Sequence, residues 1–210
     1  MLAIATARRP VYSWTVATVS TTREHLLEVG LRQLRATGYT ATGVKEVLDL
    51  AQVPKGSFYH YFPSKEAFVG ELFDRYAKGE GERAQRVLVD GALPPLKRLR
   101  AYFEELISVY GQPGEAAGCL IGAMSLEIAD HIPKLQAQLQ SMYAGWQGGI
   151  ADVLRQAVRS GDLAKSTKPD ALAEFILNSY EGALVRMKAE QSSSPLKNFL
   201  HFTFDVLLKK

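Results

Sequence analysis

Apolar residues recur along this chain at spacings of three and four, and nowhere does the strict alternation of a half-buried strand persist. That pattern confines the fold to the all-α class, because a helix buries one stripe of its surface whereas a strand buries every second residue. Leu26, Leu27, Gly30, Leu31 and Leu34 mark the inner face of a first helix, which Thr21 and Glu24 open as a capping box and Gly38 ends. Val44, Val47, Leu48 and Ala51 fall at i, i+3, i+4 and i+7, a short second helix opened near Thr42 or Gly43 and stopped before Pro54. A tight corner at Gln52-Val53-Pro54 leads to a third helix, Lys55 to Tyr61. Ser64 then caps a fourth, whose inner residues are Phe68, Leu72, Phe73 and Tyr76 and in which Gly79 and Gly81 mark a bend. Pro94-Pro95, the Gly111 to Gly114 segment, Ser160 to Asp162 and Ser192 to Pro195 punctuate longer helices beyond, about nine helices in all.

The 210 residues suffice for one substantial core or two small ones. Lys and Arg number 25 against 22 Asp and Glu, a formal charge of +3 that is too small to signal a polybasic coat. Its distribution is lopsided, since the stretch up to Lys65 carries +4 and the remainder −1. A basic N-terminal third on a near-neutral body suggests an anion-facing module joined to something else. Cys119 is the only cysteine, so an intramolecular disulfide is excluded and a reducing, cytoplasmic compartment fits. Residues 1–19 read as a loose N-terminal arm: the run from Val11 to Thr22 is too interrupted by Ser and Thr for an export signal, and no apolar stretch approaches a membrane span.

Two short helices joined by a tight corner inside the basic third meet the demands of a helix-turn-helix. The second helix of such a pair must be exposed on one side, because it enters the major groove. Phe58 and Phe62 can anchor it inward, while Lys55, Ser57, Tyr59, His60 and Tyr61 offer donors to phosphates and base edges and Gly56 permits close backbone approach. Lys65 and the free amides at the start of the fourth helix add a phosphate site, and Thr42 at the start of the second helix joins the same set of DNA-contacting candidates. On composition alone, a short aromatic helix also suits an ordinary core element.

The runs TREHLLEVGLRQLRATGYTATGV, KEVLDLAQV and above all PKGSFYHYFPSKEAF, from Thr22 to Phe68, resemble the DNA-binding domain of the TetR family of bacterial repressors. The resemblance implies a DNA-binding domain over residues 20–80 and a helical effector-binding and dimerisation domain over 81–210. It places Lys55, Gly56 and Ser57 near bases, and Tyr59, His60, Tyr61 and Lys65 at or beside phosphates. Two positions depart from the family pattern: Gln52 stands where Gly is usual, and Pro54 where Ser or Thr is frequent. The corner is therefore expected to do without glycine's left-handed freedom.

The last two helices carry wide apolar stripes, which suit either a buried core or an interface. The resemblance implies the interface: a four-helix homodimer contact including Phe175, Tyr180, Leu184, Phe199, Thr203 and Val206. Such a dimer reads a pseudo-palindromic operator in double-stranded DNA, with half-sites roughly 34–36 Å apart. Tyr102, Leu106, Met124 and Trp146, with Phe103, Met142 and Tyr143, can line a cavity for a small-molecule effector or pack as core. Cys119 stands where a helix begins, a place that can lower a thiol's pKa unless Glu115 opposes it. A small buried hydrophobe is the other reading.

The GCL at Gly118 to Leu120, with TREHLL and VPKGSFYHYF, resembles the electrophile-responsive subgroup of the family, typified by the N-ethylmaleimide repressor. That resemblance implies that Cys119 senses electrophiles or oxidants, with Lys188 of GALVRMK supporting the thiolate. A non-covalent hydrophobic ligand is the alternative. A cysteine-dependent enzyme is a remoter one, because His25, His60, His131 and His201 are scattered, without metal-ligand spacing or a phosphate loop. No cofactor is expected.

Overall fold

The computed structural model describes residues 22–112 and 118–209, and its elements are helical throughout. In order they are α1 (Thr22–Ala41), α2 (Val44–Ala51), a 3₁₀ turn (Lys55–Ser57) running into α3 (Phe58–Tyr61), α4 (Lys65–Ala84), α5 (Pro95–Tyr110), α6 (Leu120–Ile128), α7 (Pro133–Ser160), α8 (Pro169–Glu190) and α9 (Ser194–Leu200). Widened π-type turns extend α4 over Gln85–Val89 and α9 over His201–Leu207. The expected arm over residues 1–19, the Thr21 cap and Glu115 lie outside the described residues.

The first four helices form a small domain around Leu26, Leu34, Val47, Phe58, Phe62, Phe68 and Leu72, all essentially without exposure. Gly38 adopts φ 83°, a left-handed value that costs glycine nothing, and there α1 kinks instead of ending, its last turn running on to Ala41. The α2 N-terminus is closed by Glu46, whose carboxylate accepts the Gly43 N–H at 3.1 Å. At α4 the Ser64 hydroxyl accepts the Ala67 N–H at 3.1 Å, the cap expected from sequence.

The bend expected at Gly79 and Gly81 is absent. α4 runs unbroken through both, and the change of pitch comes afterwards at Gln85–Val89, where the buried Arg98 of α5 donates to the Leu88 and Val89 carbonyls. Packing of Tyr76 and Leu88 on either side supports the helix across residues that propensity alone disfavours. The boundary expected at residue 80 therefore falls inside one continuous helix. α5 to α9 build the second domain, with α7 packed along α8 and α8 against α9. Phe103, Tyr180 and Phe199 meet edge to face or tilted at its centre, with ring centroids 5.1 to 5.4 Å apart.

Candidate functional site

α3 is too short to be stable alone, and three rings hold it. Phe58, Phe62 and Phe68 are buried with centroid separations of 4.7 to 5.3 Å. Pinning one face leaves the other to solvent: Lys55, Gly56 and His60 are exposed, Tyr59 is 66% exposed, and Ser57 and Tyr61 are half-buried beside them. The structure thus brings together six of the eight residues expected to face DNA.

Thr42 and Lys65 do not join them in the same way. Thr42 is only 2% exposed, and its hydroxyl donates to the Gly38 carbonyl at 2.5 Å, so it secures the α1–α2 corner and has no face for a phosphate. The Lys65 ammonium donates to the Tyr39 carbonyl at 2.6 Å and lies 4.2 Å from the centre of the Tyr39 ring. Burial lowers its pKa, and the carboxylates of Glu127 and Glu46 oppose that shift.

The corner before α3 corrects a second expectation. Gln52 does take the left-handed conformation, at φ 56° and ψ 38°, with the Val53 N–H closing the turn on the Leu48 carbonyl at 3.0 Å. The helix-turn-helix geometry is therefore kept, at the strain of a side chain where glycine is cost-free.

Behind this domain lies a cavity of about 400 Å³, walled by Tyr76 and Glu80 of α4, Tyr102 and Leu106 of α5, Trp146 of α7 and Tyr180 of α8. Tyr102, Leu106 and Trp146 line it as the sequence suggests, but Met124 does not. It faces a second, smaller space of about 180 Å³ between α1, α6 and the end of α8, together with Arg35, Glu127 and Lys188. Cys119 borders both spaces.

Cys119 is the N-cap of α6, as its position after Gly118 implied, yet its thiol is pushed up and not down. Burial is the main cause, the Glu181 carboxylate adds to it, and the N–H groups of Gly122 and Ile121 oppose both. Glu181 escaped the sequence reading. It sits on α8 next to Tyr180 and two turns before Lys188, a same-face spacing that could have pointed to it. Its carboxyl is itself raised to about 7 by burial, against the thiol's hydrogen bond. A Cβ on residue 122 would crowd Glu181 Oε2, so a side chain there would displace the carboxylate from its present place. Lys188 is exposed at the smaller space.

The expected dimer face also needs correcting. Tyr180, Leu184, Phe199 and Thr203 are buried inside the subunit, where the aromatic centre consumes that half of the stripe. Phe175 and Val206 are 57% and 56% exposed, and Val185, Phe202 and Leu207 accompany them on α8 and the end of α9. A stripe this wide serves two faces at once.

Residues 26–72 match the model for bacterial regulatory proteins of the tetR family, and residues 95–203 match that for tetracyclin repressor-like C-terminal domains. The chain belongs to the TetR family. It is 33% identical over 186 residues to the transcriptional repressor DhaR of Mycobacterium sp. strain GP1, covering 89% of this chain and 92% of DhaR. With the transcriptional regulator AcuR of Cereibacter sphaeroides it shares 36% over 180 residues, covering 86% and 82% of the two chains. The reduced form of E. coli NemR superposes with a TM-score of 0.81 at 31% identity, over 88% of this chain and 96% of that one. As a TetR-family regulator the chain carries its DNA-binding helix-turn-helix in α2 and α3, with Lys55, Gly56, Tyr59 and His60 on the open side of α3. No helix among the described residues is long and apolar enough to cross a membrane, and no cluster of three or more His, Cys, Asp or Glu among them could hold a metal ion.

Proposed function

We propose that this regulator is a cytoplasmic homodimeric repressor that leaves its operator when a small molecule, above all an electrophile captured by Cys119, occupies the body. The observation that carries the reading is α4. One unbroken helix packs Phe68 and Leu72 into the core of the DNA-binding domain and presents Tyr76 and Glu80 to the cavity that Cys119 borders. A ligand that displaces the cavity wall moves the reading helices with it. Two heads whose spacing changes lose simultaneous contact with half-sites one helical turn apart. Similarity to NemR and DhaR, both named as repressors, supports the sign of regulation.

Phe175 and Val206 head the exposed apolar face on which two copies would pair. Lys55, Gly56, Ser57, Tyr59, His60 and Tyr61 would meet the duplex, and Lys188, at the smaller cavity, would stabilise a Cys119 thiolate when one forms. A mobility shift on the chain's own upstream promoter DNA tests this, with and without a quinone, beside Cys119→Ser. Release in the wild type alone supports a cysteine sensor. Release in both favours a reversible ligand of the larger cavity. Absence of binding to any upstream segment overturns the autoregulatory repressor.

A further inference from the structure

Resting on the reading of Cys119 as the sensor, we propose that Cys119, Tyr180 and Glu181 form a conjugate-addition site for small planar α,β-unsaturated carbonyl compounds, quinones included. In it Tyr180 binds the carbonyl oxygen and Glu181 takes the thiol proton. Cys119 is 8% exposed, so a reagent reaches it only through the cavities it borders. Burial pushes the thiol up, which makes an unaided sulfur a poor nucleophile at neutral pH. A base beside the S–H group is what such a thiol needs, and the Glu181 carboxylate, which crowds Gly122 in the first turn of α6, stands next to Cys119. The Oε1 atom of that carboxylate is buried without a partner. A carboxyl raised to about 7 is a base matched to neutral pH.

Tyr180 supplies the second half of the site. It has no exposure, it lines the larger cavity, and its hydroxyl has no hydrogen-bond partner. An orphaned buried donor is satisfied when a carbonyl oxygen accepts from it. The rings of Tyr76, Tyr102 and Trp146 around the same space favour a flat ligand.

The chemistry closes without a co-reactant. Sulfur forms a bond to the β-carbon as the carbon–carbon π bond breaks, and the electron pair moves through the conjugated system to the carbonyl oxygen. The resulting enolate accepts from the Tyr180 hydroxyl, in the manner of an oxyanion donor. The thiol proton passes to Glu181 and from there to the α-carbon, which restores the carbonyl and the carboxylate and leaves a thioether.

Around the thiol stand Tyr76 of α4, Tyr110 of α5, Tyr143 of α7, and Tyr180 and Glu181 of α8, with Asp74 and Glu80 of α4 at the larger space and Arg35 of α1, Glu127 of α6 and Lys188 of α8 at the smaller. Burial raises all four tyrosines, so they stay neutral, while Glu181 is raised to about 7.

The test is the second-order rate of Cys119 alkylation by 1,4-benzoquinone, followed by intact mass on the full chain across pH 5.5 to 9. The wild-type rate should climb through pH about 7 and level off. Glu181→Gln, which keeps the shape and loses the base, should react at least tenfold more slowly at pH 7.5. Tyr180→Phe should slow benzoquinone but leave iodoacetamide, whose displacement builds no enolate, unchanged. A Glu181→Gln chain that reacts as fast or faster overturns the assignment, since the carboxylate would then act only as a brake on the thiol. So does a wild-type rate that keeps climbing up to pH 9 without levelling off, a result that needs no variant to fold. Operator binding by the fully alkylated wild type reports separately on the sensor reading.

Discussion

Glu127 of α6 accepts the backbone N–H of Tyr39 at 2.8 Å, and its other oxygen accepts that of Thr40 at 2.5 Å, joining residues 88 and 87 positions apart. The clamp holds the turn of α1 that follows the Gly38 kink, and Lys65 of α4 grips the same turn through the Tyr39 carbonyl. α6 thus has the Cys119 thiol at one end and a carboxylate fastened to the DNA-binding domain at the other, a second mechanical link beside α4.

Removing the clamp should cost stability and loosen the head. Two amide bonds to a charged acceptor imply that Glu127→Ala loses about 2 kcal/mol, measurable by urea denaturation. Burial by itself would raise the Glu127 pKa, but the Thr40 and Tyr39 N–H groups and Lys65 hold it below the usual value of 4.5. The stabilisation it provides is therefore complete above pH 4.5 and lost as pH falls through the lower folded value. An acid titration of Glu127→Ala should lack that component.

The left-handed Gln52 offers a stabilising change. At φ 56° a side chain is strained by about 1–2 kcal/mol relative to glycine, part of which returns as greater freedom of the unfolded chain. Gln52→Gly should raise the melting temperature by a few degrees, on the order of 1 kcal/mol, and leave operator affinity intact. A lower melting temperature would mean that the corner is held by the glutamine side chain and not merely tolerant of it.

Pairing through the outer face of α8 and α9 predicts a clear separation between exposed and buried positions. Phe175→Glu combined with Val206→Glu should convert a dimer to a monomer in light scattering while circular dichroism stays helical. Operator affinity should then drop by at least a hundredfold, because each head alone contacts one half-site. Tyr180→Ala, from the same stripe but inside the subunit, should instead lose several kcal/mol of stability.

The partly buried Glu181 gives stability an unusual pH slope. Its folded pKa, about 7, lies above the usual 4.5, so between those values the folded chain binds the extra proton and stability falls as pH rises. Above about 7 the full penalty is in place, at most on the order of 3 kcal/mol for a shift of this size and less to the extent that solvent screens the partly buried carboxylate. Glu181→Gln should flatten the curve between pH 5 and 8 in thermal melts, and an unchanged slope would place the titrating group elsewhere.

The sequence by itself determined the helices, because periodic apolar residues, Ser64 and the prolines act locally. It also pointed to the open face of α3, since anchoring Phe58 and Phe62 inward turns Lys55, Tyr59 and His60 outward, as the structure has them. The tertiary structure decided what local pattern cannot encode. Lys65 is claimed by the Tyr39 carbonyl, a partner fixed only when α1 folds against α4, and Thr42 is only 2% exposed. Neighbouring packing, not propensity, carried α4 straight through Gly79 and Gly81. The wide stripe of α8 and α9 was legible as apolar, but which half faces the subunit's own core depends on where Phe103 and Trp146 arrive. The Cys119 thiol is pushed up first by burial and then by Glu181, 62 residues away in the chain, because electrostatic environment follows burial and distance in space, neither of which a linear pattern contains.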